Sequence, residues 1–145
     1  MDCIKFDVPG ECRGKMRPKA SSIAGHASIY TPAKQVEYEN WVRQCYMDQR
    51  ETDEPFAREV PLHVVIEVFM AVPKSFSKKK REQALRHYIR PTKKPDLDNC
   101  AKSILDALNG IAYADDSQVV YLSVSKKYAE SAHTVVWIKE DMSWA

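Results

Sequence analysis

The sequence predicts a single α+β domain, residues 1–145, in which a mixed β-sheet carries packed helices. Three observations lead there. Ala33 to about Gln49 and Leu97 to Asn109 repeat apolar residues at helical intervals, whereas Pro61 to Val72 is a near-continuous apolar, β-branched run of strand type. Hydrophobic residues make up 44% of the chain and charged residues 29%, enough for one core and too short a chain for a second.

Taken in order, Ile4 to Val8 reads as an opening strand ended by the turn pair Pro9-Gly10. The loop that follows is basic, with Lys15, Arg17 and Lys19 at alternate positions around Pro18, and Ser28 to Tyr30 reads as another short strand. Thr31 is placed as an N-cap with Pro32 at the first helical position, where a missing amide proton costs nothing. The helix from Ala33 rests on Val36, Tyr38, Trp41, Val42, Cys45 and Tyr46, and the acidic stretch Glu51 to Glu54 before Pro55 is its exit. Pro61 to Val72, interrupted by His63 and Glu67, reads as a central strand buried on both faces, with His63 directed at a neighbouring strand.

Lys78 to Tyr88 lacks Pro and Gly and reads as a basic helix with a thin apolar face. Pro91 and Pro95 bracket Lys93 and Lys94 in a stiff approach loop, because each fixes its own φ and pushes its predecessor toward extended geometry. Leu97, Ala101, Ile104, Leu105 and Leu108 then form one apolar stripe, with Gly110 as the helix stop. Asp115-Asp116-Ser117 is a turn, and Val119 to Tyr128 reads as a strand alternating Val120, Leu122 and Val124 with Tyr121, Ser123 and Ser125. Thr134 to Ile138 is expected to pair with it as a hairpin.

Between Lys74 and Lys102 ten basic residues face three acidic ones, a net +7 that leaves −5 on the remainder of a chain whose total is +2. Such block separation points to a polyanionic partner, whose condensed counterions are released when its phosphates are neutralised. No apolar run approaches bilayer-spanning length and no secretory pattern follows Met1, so a cytoplasmic protein without membrane contact is expected. Cys3, Cys12, Cys45 and Cys100 are scattered without a CxxC pair, which argues for reduced, mostly buried thiols and against a zinc site.

The chemistry concentrates in KPDLDNCAKSILDALNGIAYADDSQV, residues 94–119. Asp96 and Asp98 fall in the first helical turn, where exposed amides and the helix dipole favour ionised carboxylates. Lys102 stands one turn beyond Asp98 and Asp106 one turn beyond Lys102, a charged stripe opposite the Leu/Ile stripe. Taken singly, Asp96 is an N-cap, Asp98 with Lys102 an ordinary i,i+4 pair, and Asp115-Asp116 turn formers. Taken together, two carboxylates at a helix start and one from a following turn suit Mg²⁺, which takes a few carboxylates plus phosphate oxygens. A metal so placed activates water toward phosphorus, with Lys102 as a second cation near the developing charge.

KPDLDN followed by Lys102, LDALNG and DDSQV is similar to the core motif of the RusA family of Holliday-junction resolvases. VPGECRGKMRPK resembles the family's Pro-then-basic N-terminal loop and YTPAKQVEYENWV its first long helix. The resemblance implies a RusA-like fold and a homodimeric, Mg²⁺-dependent crossover junction endodeoxyribonuclease, with Mn²⁺ as substitute. Such an enzyme nicks four-way junction DNA symmetrically in recombination and repair and is often encoded by phage or prophage. It further implies Asp96, Asp98 and one of Asp115 and Asp116 as metal ligands, Asp116 by its position in DDSQV, with Lys102 catalytic. Lys15, Arg17, Lys19, Lys93 and Lys94 are the expected DNA contacts. Cys100-Ala101 stands where larger aliphatics are common, and Lys19 replaces a frequent Arg. Two rival readings are a less selective flap or fork nuclease and a non-catalytic DNA-binding module.

Overall fold

A computed structural model describes residues 3–17, 19–23, 25–30 and 32–142. Pro18 and Thr31, and with Thr31 its expected cap, lie outside that set, as does the Lys19 side chain. The chain runs β1 (Cys3–Pro9), β2 (Lys19–Ile23), β3 (His26–Tyr30), α1 (Ala33–Gln49), β4 (Leu62–Ala71), α2 (Lys78–Leu85), α3 (Leu97–Leu108), β5 (Val119–Ala129) and β6 (His133–Glu140). A 3-10 turn, Asp116–Gln118, leads into β5. The result is a mixed α+β domain with a four-stranded sheet in the order β1-β6-β4-β5 and a separate β2-β3 hairpin.

β4 owes its central place to its apolar run. It pairs antiparallel with β6 and parallel with β5, and the parallel pairing is reached through a 47-residue crossover that holds α2 and α3. The expected β5–β6 hairpin is therefore corrected. β6 lies between β1 and β4, because the most apolar strand separates the two sequence neighbours.

One face of the sheet supplies Ile4, Phe6 and Val8 from β1, Leu62, Val64, Ile66 and Val68 from β4, and Val136 and Ile138 from β6 to a core closed by α1 and α3. Full burial of each such aliphatic side chain contributes about 1.5–3 kcal/mol. The expectation that β4 is buried on both faces is also corrected. His63, Val65, Glu67 and Phe69 alternate with the buried residues and are only partly covered, while α1 and α3 close the opposite face. His63 does face its neighbours, its ring centre 4.1 Å from that of Tyr121 with the planes tilted by 40°, and its Nδ1 3.9 Å from Asp141 Oδ1.

On α1 the buried residues are Gln35, Tyr38, Val42, Cys45 and Tyr46, while Val36 and Trp41 of the expected apolar set are exposed. Pro32 is the N-cap rather than the first helical residue, and its carbonyl accepts the Gln35 and Val36 amides. α2 is shorter than expected and ends at Leu85; α3 ends at Leu108 with Asn109 as its cap. Gly110 has φ +81, a left-handed conformation that the glycine stop supplies without strain. β5 is an edge strand, so its expected alternation does not produce a buried face, and Val120, Tyr121 and Leu122 are all exposed. The four cysteines are free, Cys3 exposed and the other three buried.

Candidate active site

α3 presents most of its surface to the core, with Cys100, Ala101, Ser103, Ile104, Leu105, Ala107 and Leu108 buried. What remains outward is the stripe Asp98, Lys102 and Asp106, at successive i,i+4 steps. Asp96 occupies the N-cap position with extended backbone, yet its side chain makes no capping hydrogen bond. An N-cap aspartate ordinarily spends its carboxylate on an orphan amide of the first turn. This one stands exposed at the positive end of the helix dipole with its oxygens unspent on the cap.

The two aspartates of the 115–116 pair divide their work. Asp115 Oδ2 accepts the Ser117 amide at 3.1 Å, and Gln118 returns its Oε1 to the Asp115 amide at 3.1 Å, a reciprocal capping box. The bonds from Ser117 hold the Asp115 carboxyl below its ordinary range. Asp116 turns instead toward α3. Partial burial, then the Asp106 and Asp115 carboxylates and a hydrogen bond with Asp106, raise it above the ordinary range, and Lys102 pulls the other way.

Asp106 is the hub. Its Oδ2 lies 3.2 Å from Lys15 Nζ and 3.8 Å from Lys102 Nζ, and Lys15 also meets Glu39 Oε1 at 2.8 Å. Lys102 thus pairs with Asp106, C-terminal to it, and no ion pair with Asp98 is present among the described residues. Lys15, expected at a phosphate, is engaged by two carboxylates here. Its loop is docked by backbone: Lys15 N–H donates to Asn99 O at 2.9 Å, Met16 N–H to Gln35 Oε1 at 3.1 Å, and Gly14 abuts Asn99 so closely that an added Cβ falls 3.0 Å from it. Glu11 to Met16 and Lys94 to Asp96 with Asn99 consequently line one groove of about 510 Å³. On the far side of that approach, Lys126 Nζ donates to Lys93 O at 2.7 Å and Pro95 O at 3.2 Å, fixing the chain that enters α3. Arg17 and Lys94 are exposed, as is Lys93.

The structure therefore brings Asp116 to Asp106 and Lys102, and brings Lys15 and Lys94 to the rim that holds Asp96. It does not gather Asp96, Asp98 and Asp116 at one point. Asp98 and Asp106 are eight helical residues apart, about 12 Å along the axis, and among the described residues no three His, Cys, Asp or Glu side chains converge on a common ion position. In donor type the set still fits a hard divalent cation, for all its carboxylates are oxygen ligands and the close Asp106–Asp116 pair is a concentration of negative charge. One turn past Asp106, the buried Asn109 Oδ1 has no hydrogen-bond partner among the described residues, a further acceptor at the same end of α3. Glu39 was not foreseen from the sequence, where nothing local marks it, and Asp106 was foreseen only as a stripe residue and not as the hub.

A family model described as Endodeoxyribonuclease RusA matches residues 9–139. Over 142 residues, 97% of the chain and 98% of the relative, the sequence is 41% identical to Uncharacterized protein YqaN of Bacillus subtilis (strain 168). It is also 28% identical over 102 residues to the Crossover junction endodeoxyribonuclease rusA of Lactococcus phage r1t, covering 70% of the chain and 71% of that protein.

Proposed function

The chain belongs to the RusA endodeoxyribonuclease family, so we propose that it resolves Holliday junctions by paired symmetric nicks, as a Mg²⁺-dependent homodimer acting in DNA recombination and repair. The observation that carries this reading is the N-cap Asp96 whose carboxylate is withheld from capping, at the head of a stripe that continues through Asp98, Lys102 and the Asp106–Asp116 pair. The name of the phage relative supports the substrate class. A junction presents two equivalent strands, and a two-fold dimer brings one site to each.

Asp96 and Asp98 at the head of α3 and Asp116, set by the turn that Asp115 caps, are the carboxylates that would hold the metal; among the described residues they do not meet at one ion position, so binding would have to draw Asp116 from Asp106 toward Asp98. A bound Mg²⁺ supplies Lewis acidity and an activated water. The protein's own part is placement and charge. Lys102, exposed between the two carboxylate groups, neutralises the phosphate oxygens as negative charge builds on the leaving oxygen. Arg17, Lys19, Lys93 and Lys94 position the backbone of the DNA, and Lys15 joins them from the groove rim while holding Asp106 in register.

Asp98→Asn is the direct test. Junction cleavage in Mg²⁺ is compared with junction binding in its absence, at one fixed salt concentration. Retained binding with nicking lost supports the assignment, and unchanged nicking defeats it. Competition of a four-way junction against a fork and a linear duplex separates a resolvase from a less selective nuclease.

A further inference from the structure

Lys74 to Lys94 carries nine basic residues and one acidic residue in 21 positions, a net +8. Among the described residues only Arg86 of the nine has an acidic partner, Glu82 at 3.0 Å, and both members are largely in solvent. A loose lysine-rich loop scatters such charges over many conformations. This segment is folded.

Ser77 caps α2 through its Oγ, which accepts the Lys80 amide at 3.1 Å. Ala84 is buried against Val72 and Tyr128 in a small second core, sealed by Phe76, Leu85 and Ile89. Phe76 meets the Tyr128 ring edge-on at 5.8 Å, and Lys80 Nζ rests 4.2 Å above Phe76. His87, at φ +65, turns the chain sharply after the helix, and its carbonyl accepts Arg90 Nε at 3.0 Å. That turn delivers Tyr88 outward at 77% exposure, an aromatic ring in solvent within a cationic surface. Fixed cations without counter-charges, beside a projecting aromatic, match the two demands of a nucleic acid: phosphates to neutralise and an unstacked base to cover.

We propose that the part of this segment from Lys74 to Arg90 is a second DNA-contact surface, apart from the carboxylate stripe and from Lys93 and Lys94, in which Lys74, Lys78 and Lys79 grip the phosphates of a duplex arm and Tyr88 stacks on a base exposed at the branch point. The inference rests on the junction-nuclease reading and assigns the choice of branched over linear DNA to Tyr88.

Binding of a fluorescent four-way junction and of a linear duplex is measured by anisotropy with EDTA present, across a salt series. In the Lys74→Gln, Lys78→Gln, Lys79→Gln triple variant the slope of log K against log salt falls by about 2.7, at about 0.9 per phosphate contact. Tyr88→Ala leaves the slope alone and weakens junction binding about 5- to 150-fold, with duplex binding unchanged and Tyr88→Trp restoring the wild-type value. All these positions are exposed, and circular dichroism confirms that the variants fold. An unaltered slope in the triple variant, or a Tyr88→Ala protein that binds the junction as wild type does, overturns the proposal while junction preference by the wild type stands. A wild type that prefers no junction removes the junction reading itself, and this inference with it.

Discussion

Replacing Gln35 with Leu removes the polar link that joins α1, α3 and the basic loop. Gln35 is fully buried; its Nε2 donates to Ser103 Oγ at 3.0 Å and its Oε1 accepts the Met16 amide at 3.1 Å. Leucine matches the volume and suits a helix, but it leaves the wholly buried Ser103 hydroxyl and the partly exposed Met16 amide without that partner. An orphaned buried polar group costs about 1–3 kcal/mol. One full penalty for Ser103 and a partial one for Met16, offset by about 1 kcal/mol of added apolar burial, come to a net loss of about 2 kcal/mol. With an unfolding entropy of about 2.1 cal/mol/K per residue, a chain of this length then melts about 7 °C lower. Adding Ser103→Ala removes the orphaned hydroxyl and returns about 1 kcal/mol, so the two substitutions are not additive. Urea and thermal unfolding of the two single variants and the double measure this directly. A Gln35→Leu loss below about 0.5 kcal/mol, or strict additivity, would falsify the link.

Asp115→Ala loses the cap of the 3-10 turn, about 0.5–2 kcal/mol by urea denaturation, but retains measurable nicking, whereas Asp116→Asn folds normally and nicks no DNA. Equal loss of cleavage in both variants would reverse the assignment within the pair. Ile104→Ala, at a fully buried position of α3, destabilises by about 2–5 kcal/mol in the same assay, and a cost under 1 kcal/mol would mean that α3 is not packed as described. Chelation of divalent ions with EDTA abolishes junction cleavage and leaves gel-shift binding in place, and cleavage that persists in EDTA rejects the metal requirement.

α3 was legible almost residue by residue, because a 12-residue helix with one apolar stripe and a glycine stop leaves the pattern few alternatives. The same periodicity found α1 and its bounds but misjudged part of its buried face. There Gln35 is buried and Trp41 exposed, the latter with Nε1 bonded to the Pro9 carbonyl at 2.8 Å, and tertiary partners decide such choices. Lys19–Ile23 carries no apolar alternation, so β2 exists only through its pairing with β3. The β5–β6 hairpin failed as an expectation because adjacency in sequence ignores what a third strand gains by lying between them. At the candidate site the residue types and the stripe were readable, and the separate duties of Asp115 and Asp116 in the structure follow from a capping box that one glutamine completes. The distribution of the carboxylates along α3, two at its head and two near its foot, is a matter of rise per residue and depends on where the crossover sets the 3-10 turn.

That crossover has a consequence for biosynthesis. β4 cannot acquire its parallel neighbour until the 47 intervening residues and β5 itself have left the ribosome, and closing so long a loop carries an entropy that local helix formation does not repay. Asp96 and Asp98 emerge well before Asp116 is brought alongside α3. A nascent chain halted before β5 already carries Asp96, Asp98, Asp106 and Asp116 but lacks the strand that the turn bearing Asp116 leads into, so their mutual placement waits on β5.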